Sequence, residues 1–153
     1  VRAKGATPIL CTPVERRKFD KGGNFVDQHG IYPILVRETA KEQKVYLIDM
    51  QHSSRDLIIS KGEEGSKELF LHVGPGECPK YPEGKEDNTH FKPAGALEMA
   101  RFFVEGITKL NLKPLVKQLK PAANVALTYT TPVNGLDDLK NTINHNLDEG
   151  KTK

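Results

Sequence analysis

Pro8-Ile9-Leu10-Cys11-Thr12-Pro13-Val14 is a short, mostly apolar run bounded by proline, and its reading decides the fold class. An apolar run without alternation fits a strand covered on both faces, the kind found in parallel sheets. Val45-Tyr46-Leu47-Ile48-Asp49 is a second run of the same kind. Between them, Glu15-Arg16-Arg17-Lys18 and Gly22-Gly23-Asn24 read as a polar loop. Tyr32 to Gln43 then reads as a helix, with Pro33 suited to its first turn. Strand, helix and strand at this spacing make a βαβ unit with parallel strands and a right-handed crossover.

After Asp49 the pattern is helical to about Lys61, with Gly62 as the stop, and a brief helical piece follows from Gly65 to Leu69. Pro93 to Leu110 is the clearest helix, because Ala96, Met99, Ala100, Phe103, Val104 and Ile107 recur at helical spacing. Lys113 to Leu119 continues as a short helix. From Pro121 the character changes: ALTYTTPVNGL reads as extended with an Asn-Gly turn, and Leu136 to Leu147 as a helix. The expected division is 1–119 for the α/β part and 120–153 for a C-terminal extension. Two buried parallel strands are too few for a doubly covered sheet, which typically has about five or six. Its other strands are expected to precede Val1 or to come from another polypeptide. An apolar edge left open beside Ile9 to Val14 would be an aggregation hazard, so a dimer or a second fragment is expected to cover it.

The chain has 153 residues, 37% hydrophobic and 28% charged, which suits one ordinary globular domain. A net charge of +3 is too mild and too evenly spread to argue for nucleic acid. No apolar run approaches membrane-spanning length, and VRAKGATPIL lacks the long apolar core of a secretory signal. Cys11 and Cys78 read as two free thiols, Cys11 as a small buried hydrophobe, with a Cys11–Cys78 disulfide as the alternative. There is no Cys-x-x-Cys, so a thiolate zinc site is not expected.

His72 to Phe91, HVGPGECPKYPEGKEDNTHF, shows neither a helical nor a strand period. Compact domains seldom carry so long a loop unless it functions. It ends in Asp87-Asn88-Thr89-His90, a carboxylate and an imidazole three residues apart. In nucleophilic hydrolysis a histidine takes the nucleophile's proton and a carboxylate fixes its tautomer. That spacing serves if the chain turns tightly enough to point both side chains one way. The plainer alternative is that Asp87 or Thr89 caps the helix that follows. In an open parallel sheet, ligands bind at the carboxyl ends of the strands, where the loops after Val14 and Asp49 also open. Arg16 and Arg17 follow the first strand and would contact an anionic sugar or hold the loop; a solvated charged turn is the plainer reading. His29 is read as structural. His52 beside Ser53 and Ser54 is discounted, since adjacent helical positions point apart. His72, Glu77, Asp87 and His90 match no metal motif.

Three segments carry a family resemblance: ATPILCTPVERRKFD, then HGIYP with VYLIDM, and most specifically PGECPKYPEGKEDNTHFKPAGALEMARFFVEGI. On these the chain, from Val1 to about Leu119, resembles the C-terminal half of an SGNH (GDSL-type) hydrolase. More narrowly it is similar to rhamnogalacturonan acetylesterases and their bacterial relatives. The resemblance implies a partial three-layer, flavodoxin-like α/β fold. It also implies a serine esterase acting on O-acetyl groups of acidic pectic polysaccharide, without metal or organic cofactor, extracellular or periplasmic. The family's last catalytic block, Asp-x-x-His, falls on Asp87 and His90. The serine of a Gly-Asp-Ser block and the glycine and asparagine of two later blocks have no counterpart here. The chain alone is therefore expected to be inactive. The alternative is a truncated, non-catalytic binding or interaction module, and a third reading is a metal-dependent hydrolase built on the loop.

Overall fold

Strand β1 (Ile9–Cys11) pairs in parallel with strand β2 (Tyr46–Ile48), with Leu10 opposite Leu47, and helix α1 (Tyr32–Glu42) connects them. The structure, a computed structural model, describes residues 1–119. The extended segment, Asn-Gly turn and helix expected beyond Pro121 lie outside the described residues. Arg2, in a 3-10 turn ahead of β1, donates to the carbonyls of Gln43 and Lys44 and so ties the entry of β1 to the end of α1. Lys44 turns the chain into β2 with a left-handed backbone, φ 48°. The chain is thus a mixed α/β fold with a parallel strand pair.

Asp49 ends β2 and caps helix α2 (Met50–Gly65), accepting from the His52 amide. Gly62 has φ 68° and ψ −178°, so the helix breaks at the expected stop and resumes for one turn. A 3-10 turn, Ser66–Leu69, then leads into strand β3 (Phe70–Val73). The stretch read as a structureless loop is instead a hairpin: β3 pairs antiparallel with strand β4 (Lys85–Phe91). Its polar sequence gives no alternation because β4 is largely exposed, so neither face of it needs an apolar set. Helix α3 (Pro93–Lys109) and a short helix α4 (Lys113–Val116) complete the described chain.

The core joins Ile48 of β2, Leu57 and Ile58 of α2, Leu69, Phe70, and Met99, Phe102 and Ile107 of α3. The face that α3 buries differs from the expected one. Met99 and Ile107 are inside, but Ala96, Ala100, Phe103 and Val104 are exposed, and Phe102 is buried instead. Glycines explain the rotation. A Cβ on Gly95 would stand 2.2 Å from the Leu69 carbonyl oxygen, and one on Gly106 would stand 2.6 Å from Ile48 Cγ2. Only the glycine side of α3 can come this close to the hairpin and to β2. The full burial expected of the parallel strands is also not met. Of their residues only Ile48 is buried, and Cys11, a free thiol like Cys78, is exposed.

Ala in place of Gly normally stabilises a helix interior by about 1 kcal/mol. Here the sign should reverse. Gly95→Ala and Gly106→Ala should each lower stability by about 1–3 kcal/mol through overpacking, Gly95→Ala more, because it meets backbone that cannot rotate away. Thermal or urea unfolding checks this, and a raised midpoint for either variant would refute the close-approach argument.

Candidate active site on a bulged hairpin

The β3–β4 ladder is pinned at Phe70–Phe91 and at His72–Glu86. Asp87, Asn88, Thr89 and His90 therefore all stand opposite the single residue Leu71. This surplus leaves the ladder as a broad bulge, a device that re-aims side chains. Asp87 closes the bulge on itself: Oδ1 accepts from the amides of Thr89 (2.8 Å) and His90 (2.9 Å). Its Oδ2 lies 2.8 Å from His90 Nδ1. The carboxylate is thus spent inside the bulge. It does not cap α3, whose first residue is preceded by Lys92 without any side-chain cap.

The amide of His90, then that of Thr89, then the His90 ring hold the Asp87 carboxyl well below the usual carboxylate range. An ionised carboxylate only accepts, so Nδ1 carries the proton and Nε2 is the basic nitrogen of the neutral ring. The His90 side chain is 75% exposed, against 18% for Asp87, and no described group hydrogen-bonds Nε2. An oriented imidazole with an open basic nitrogen is equipped to take a proton from an incoming hydroxyl.

The loop after β1 reaches this bulge. The Arg17 amide donates to the Asn88 carbonyl at 2.9 Å, and Arg17 Nη1 to Asn88 Oδ1 at 2.9 Å. Arg17 is 5% exposed and also donates to the Glu63 carbonyl and to Ser66 Oγ. Its guanidinium is engaged inside the chain, whereas Arg16 is exposed. His72 Nε2 makes a second contact to Asn88 Oδ1, at 2.8 Å.

A buried polar network anchors that loop. Thr12 donates to Asp49 Oδ1 at 2.8 Å, and Arg37 grips the same carboxylate with two donors. Burial pushes the Asp49 carboxyl up, but the Arg37 and Thr12 hydrogen bonds outweigh it, so it stays below its ordinary value. Gln51 and Arg55 both donate to Glu15 Oε1 at 2.8 Å, and Ser54 Oγ accepts the Glu15 amide at 2.9 Å. His29 Nε2 donates to the Val14 carbonyl. His52 sits 3.2 Å from Asp49, and Ser54 is bonded to Met50 and Glu15, so no serine–histidine pair forms there. Asn88 as the held residue, and Thr12 and Asp49 as the anchor, were not legible beforehand. The one signal, for Thr12 and Asp49, was their position at the ends of the two apolar runs.

Among the described residues, no group of three or more His, Cys, Asp or Glu is placed to hold a metal. His72 is on Asn88, and Glu77 accepts from the Gly74 amide. Among them too, no helix is long and apolar enough to cross a membrane.

The chain resembles a fragment of a rhamnogalacturonan acetylesterase. It is 44% identical over 111 residues to rhamnogalacturonan acetylesterase RhgT of Bacillus subtilis (strain 168), covering 72% of this chain and 48% of that protein. It is 37% identical over 118 residues to probable rhamnogalacturonan acetylesterase YesY of the same organism, covering 77% of this chain and 49% of that one. The chain thus spans about half the length of the curated relatives it matches. No family model matches it, and no solved structure matches it significantly.

The Asp87 carboxyl has its folded-state value depressed, so the bulge gains its contribution above the ordinary range near 3.8 and loses it only as pH falls towards the lower folded value. Carboxyl-carbon NMR should show Asp87 still ionised at a pH where unperturbed aspartates are half protonated. Titration at the ordinary value would mean that the bulge hydrogen bonds do not form.

Proposed function

We propose that this chain supplies the histidine–aspartate half of a serine esterase of SGNH type, acting on O-acetyl groups of rhamnogalacturonan-like pectic polysaccharide. The observation that carries the reading is the Asp87–His90 pair itself, with Nδ1 bonded to the carboxylate and Nε2 open on an exposed bulge. The names of the relatives supply the reaction and the substrate class. In this reading a serine outside the chain gives its proton to His90 Nε2 and attacks the acetyl carbonyl. His90 returns that proton to the departing sugar oxygen, and water repeats the sequence to release acetate. Asp87 keeps the ring in the right tautomer and stabilises it when charged. The oxyanion hole also comes from outside, and no metal or organic cofactor takes part.

The same reading gives the fold its remaining parts. Further strands, from the same protein or from a second chain, extend the parallel pair into a three-layer flavodoxin-like sheet. Ile31, Tyr32, Ile34 and Leu35 beside α1, and Leu97, Phe103 and Val104 on α3, are large exposed apolar side chains that such layers would cover. Exposed Arg16 is in this reading the residue that meets an acidic sugar, while Arg17 is committed to the loop. A location outside the cell or in the periplasm, as in the family it resembles, is part of the same proposal.

Acetate release from acetylated rhamnogalacturonan should be measured with the complete protein and with its His90→Ala variant. Loss of general acid–base catalysis should cost about 100-fold or more in kcat. A variant as active as the parent would sink the assignment.

A further inference from the structure

Arg17 is buried, yet among the described residues no carboxylate lies within 4.0 Å of its guanidinium. Its hydrogen-bond partners are two carbonyl-type oxygens and a hydroxyl, Glu63 O, Asn88 Oδ1 and Ser66 Oγ, and its guanidinium carbon lies 5.6 Å from the centre of the Phe19 ring. The Glu64 carboxylate feels the Arg17 charge, but no described carboxylate pairs with it directly, and burying a cation without a direct ion pair is costly. An apolar side chain would fill the same space at lower cost, so the site has a use for the fork of donors. The fork spans three elements. One side holds the kinked end of α2, where Gly62 breaks the helix and the Glu63 carbonyl accepts from both Arg17 and Ser66 Oγ. The other side holds Asn88, midway through the four-residue bulge. The Arg17 amide takes the Asn88 carbonyl, and His72 shares Asn88 Oδ1.

We propose that Arg17 is a positioning residue of the candidate site: by gripping Asn88 against the end of α2 it fixes the bulge in the turn that sets His90 Nδ1 on Asp87. This rests on reading Asp87 and His90 as the acting pair. The bulge needs such a hold. It is out of register with β3, its own hydrogen bonds are local, and its side chains are largely exposed. Anchored from one side only, it would exchange among turns in which His90 and Asp87 part. Arg17 couples it to the buried core through Ser66, which is fully enclosed. A rigid shell behind an exposed pair is what proton transfer at a set distance requires.

The His90 ring tautomer reports the grip directly. In the 153-residue chain, nitrogen-15 NMR at a pH alkaline enough for the ring to be neutral should show the Nδ1–H form, and Asp87→Ala sets the value for a released ring. Arg17→Met and Asn88→Ala should both move the tautomer to the Asp87→Ala value, while Asn88→Asp, which keeps acceptor oxygens, should retain the parent's. In the complete protein, Arg17→Met should lower kcat by about 100-fold with KM unchanged. A parent-like tautomer in folded Arg17→Met or in Asn88→Ala overturns the proposal, as does an Asn88→Asp ring as free as that of Asn88→Ala. Should Arg17→Met fail to fold, Asn88→Ala decides. The tautomer is read without substrate, so absence of acetate release would strike the esterase assignment and leave the grip standing.

Discussion

The register surplus between β3 and β4 is the constraint from which the candidate site follows. Phe70 meets Phe91 with ring centroids 4.9 Å apart, and Phe70 is fully buried, so one end of the bulge cannot slide. The Lys92 amide bonds the Leu69 carbonyl, and Gly95 brings α3 against that same carbonyl oxygen. At the other end, Gly84, with φ 84°, closes the hairpin beside the Val73 carbonyl, where a Cβ would stand 2.9 Å away. Four residues are therefore confined between two fixed pairs that need only one. They have to leave the ladder, and Asp87 takes up the amides that the ladder no longer pairs. The same turn brings His90 Nδ1 to 2.8 Å from Asp87 Oδ2.

A second layer of polar contacts keeps the strands' carboxyl ends from fraying. Thr12 Oγ1 donates to Asp49 and accepts from the Gln51 amide, bridging the exit of β1 to the first turn of α2. Arg37 reaches from α1 to Asp49 and Gln51. Three elements thus meet on one carboxylate that also caps a helix. Buried ion pairs of this kind add little net stability, but breaking one leaves an unpaired charge inside. Their use here is geometric. They carry the loop from Thr12 through Glu15 to Arg17, and so deliver a buried cation to the back of the bulge.

How legible was this in the residues? The βαβ unit was, because apolar runs of five to seven residues around a helical stretch admit few other readings. The Asp87–His90 pair was also visible as residues, through its spacing and its resemblance to a known block. The hairpin was not: β4 is a polar edge strand with a four-residue bulge, so period two never appears in it. The helix of Pro93 to Lys109 was legible in type but not in orientation. It is apolar on more than one side, and the side it buries is chosen by Gly95 and Gly106, whose effect depends on which backbone lies opposite. Arg17 and Asn88 are 71 residues apart in sequence, and no local pattern could join them.

Two features that look unrelated share a cause under the esterase reading. Phe103 and Val104 on α3, and Ile34 and Leu35 on α1, leave apolar area in water, a cost of about 25 cal/mol for each Å². His90 Nε2 has an oriented ring behind it and nothing described in front. A helix that has already buried one face has no structural use for a second apolar face unless another layer packs there. A histidine held by a carboxylate has no use for a fixed tautomer unless a proton donor meets its other nitrogen. In the proposed reading, one complement carrying further strands and a nucleophilic serine would meet both needs at once. A binding module would use only the first, which is the ground on which the proposed esterase reading is preferred to it.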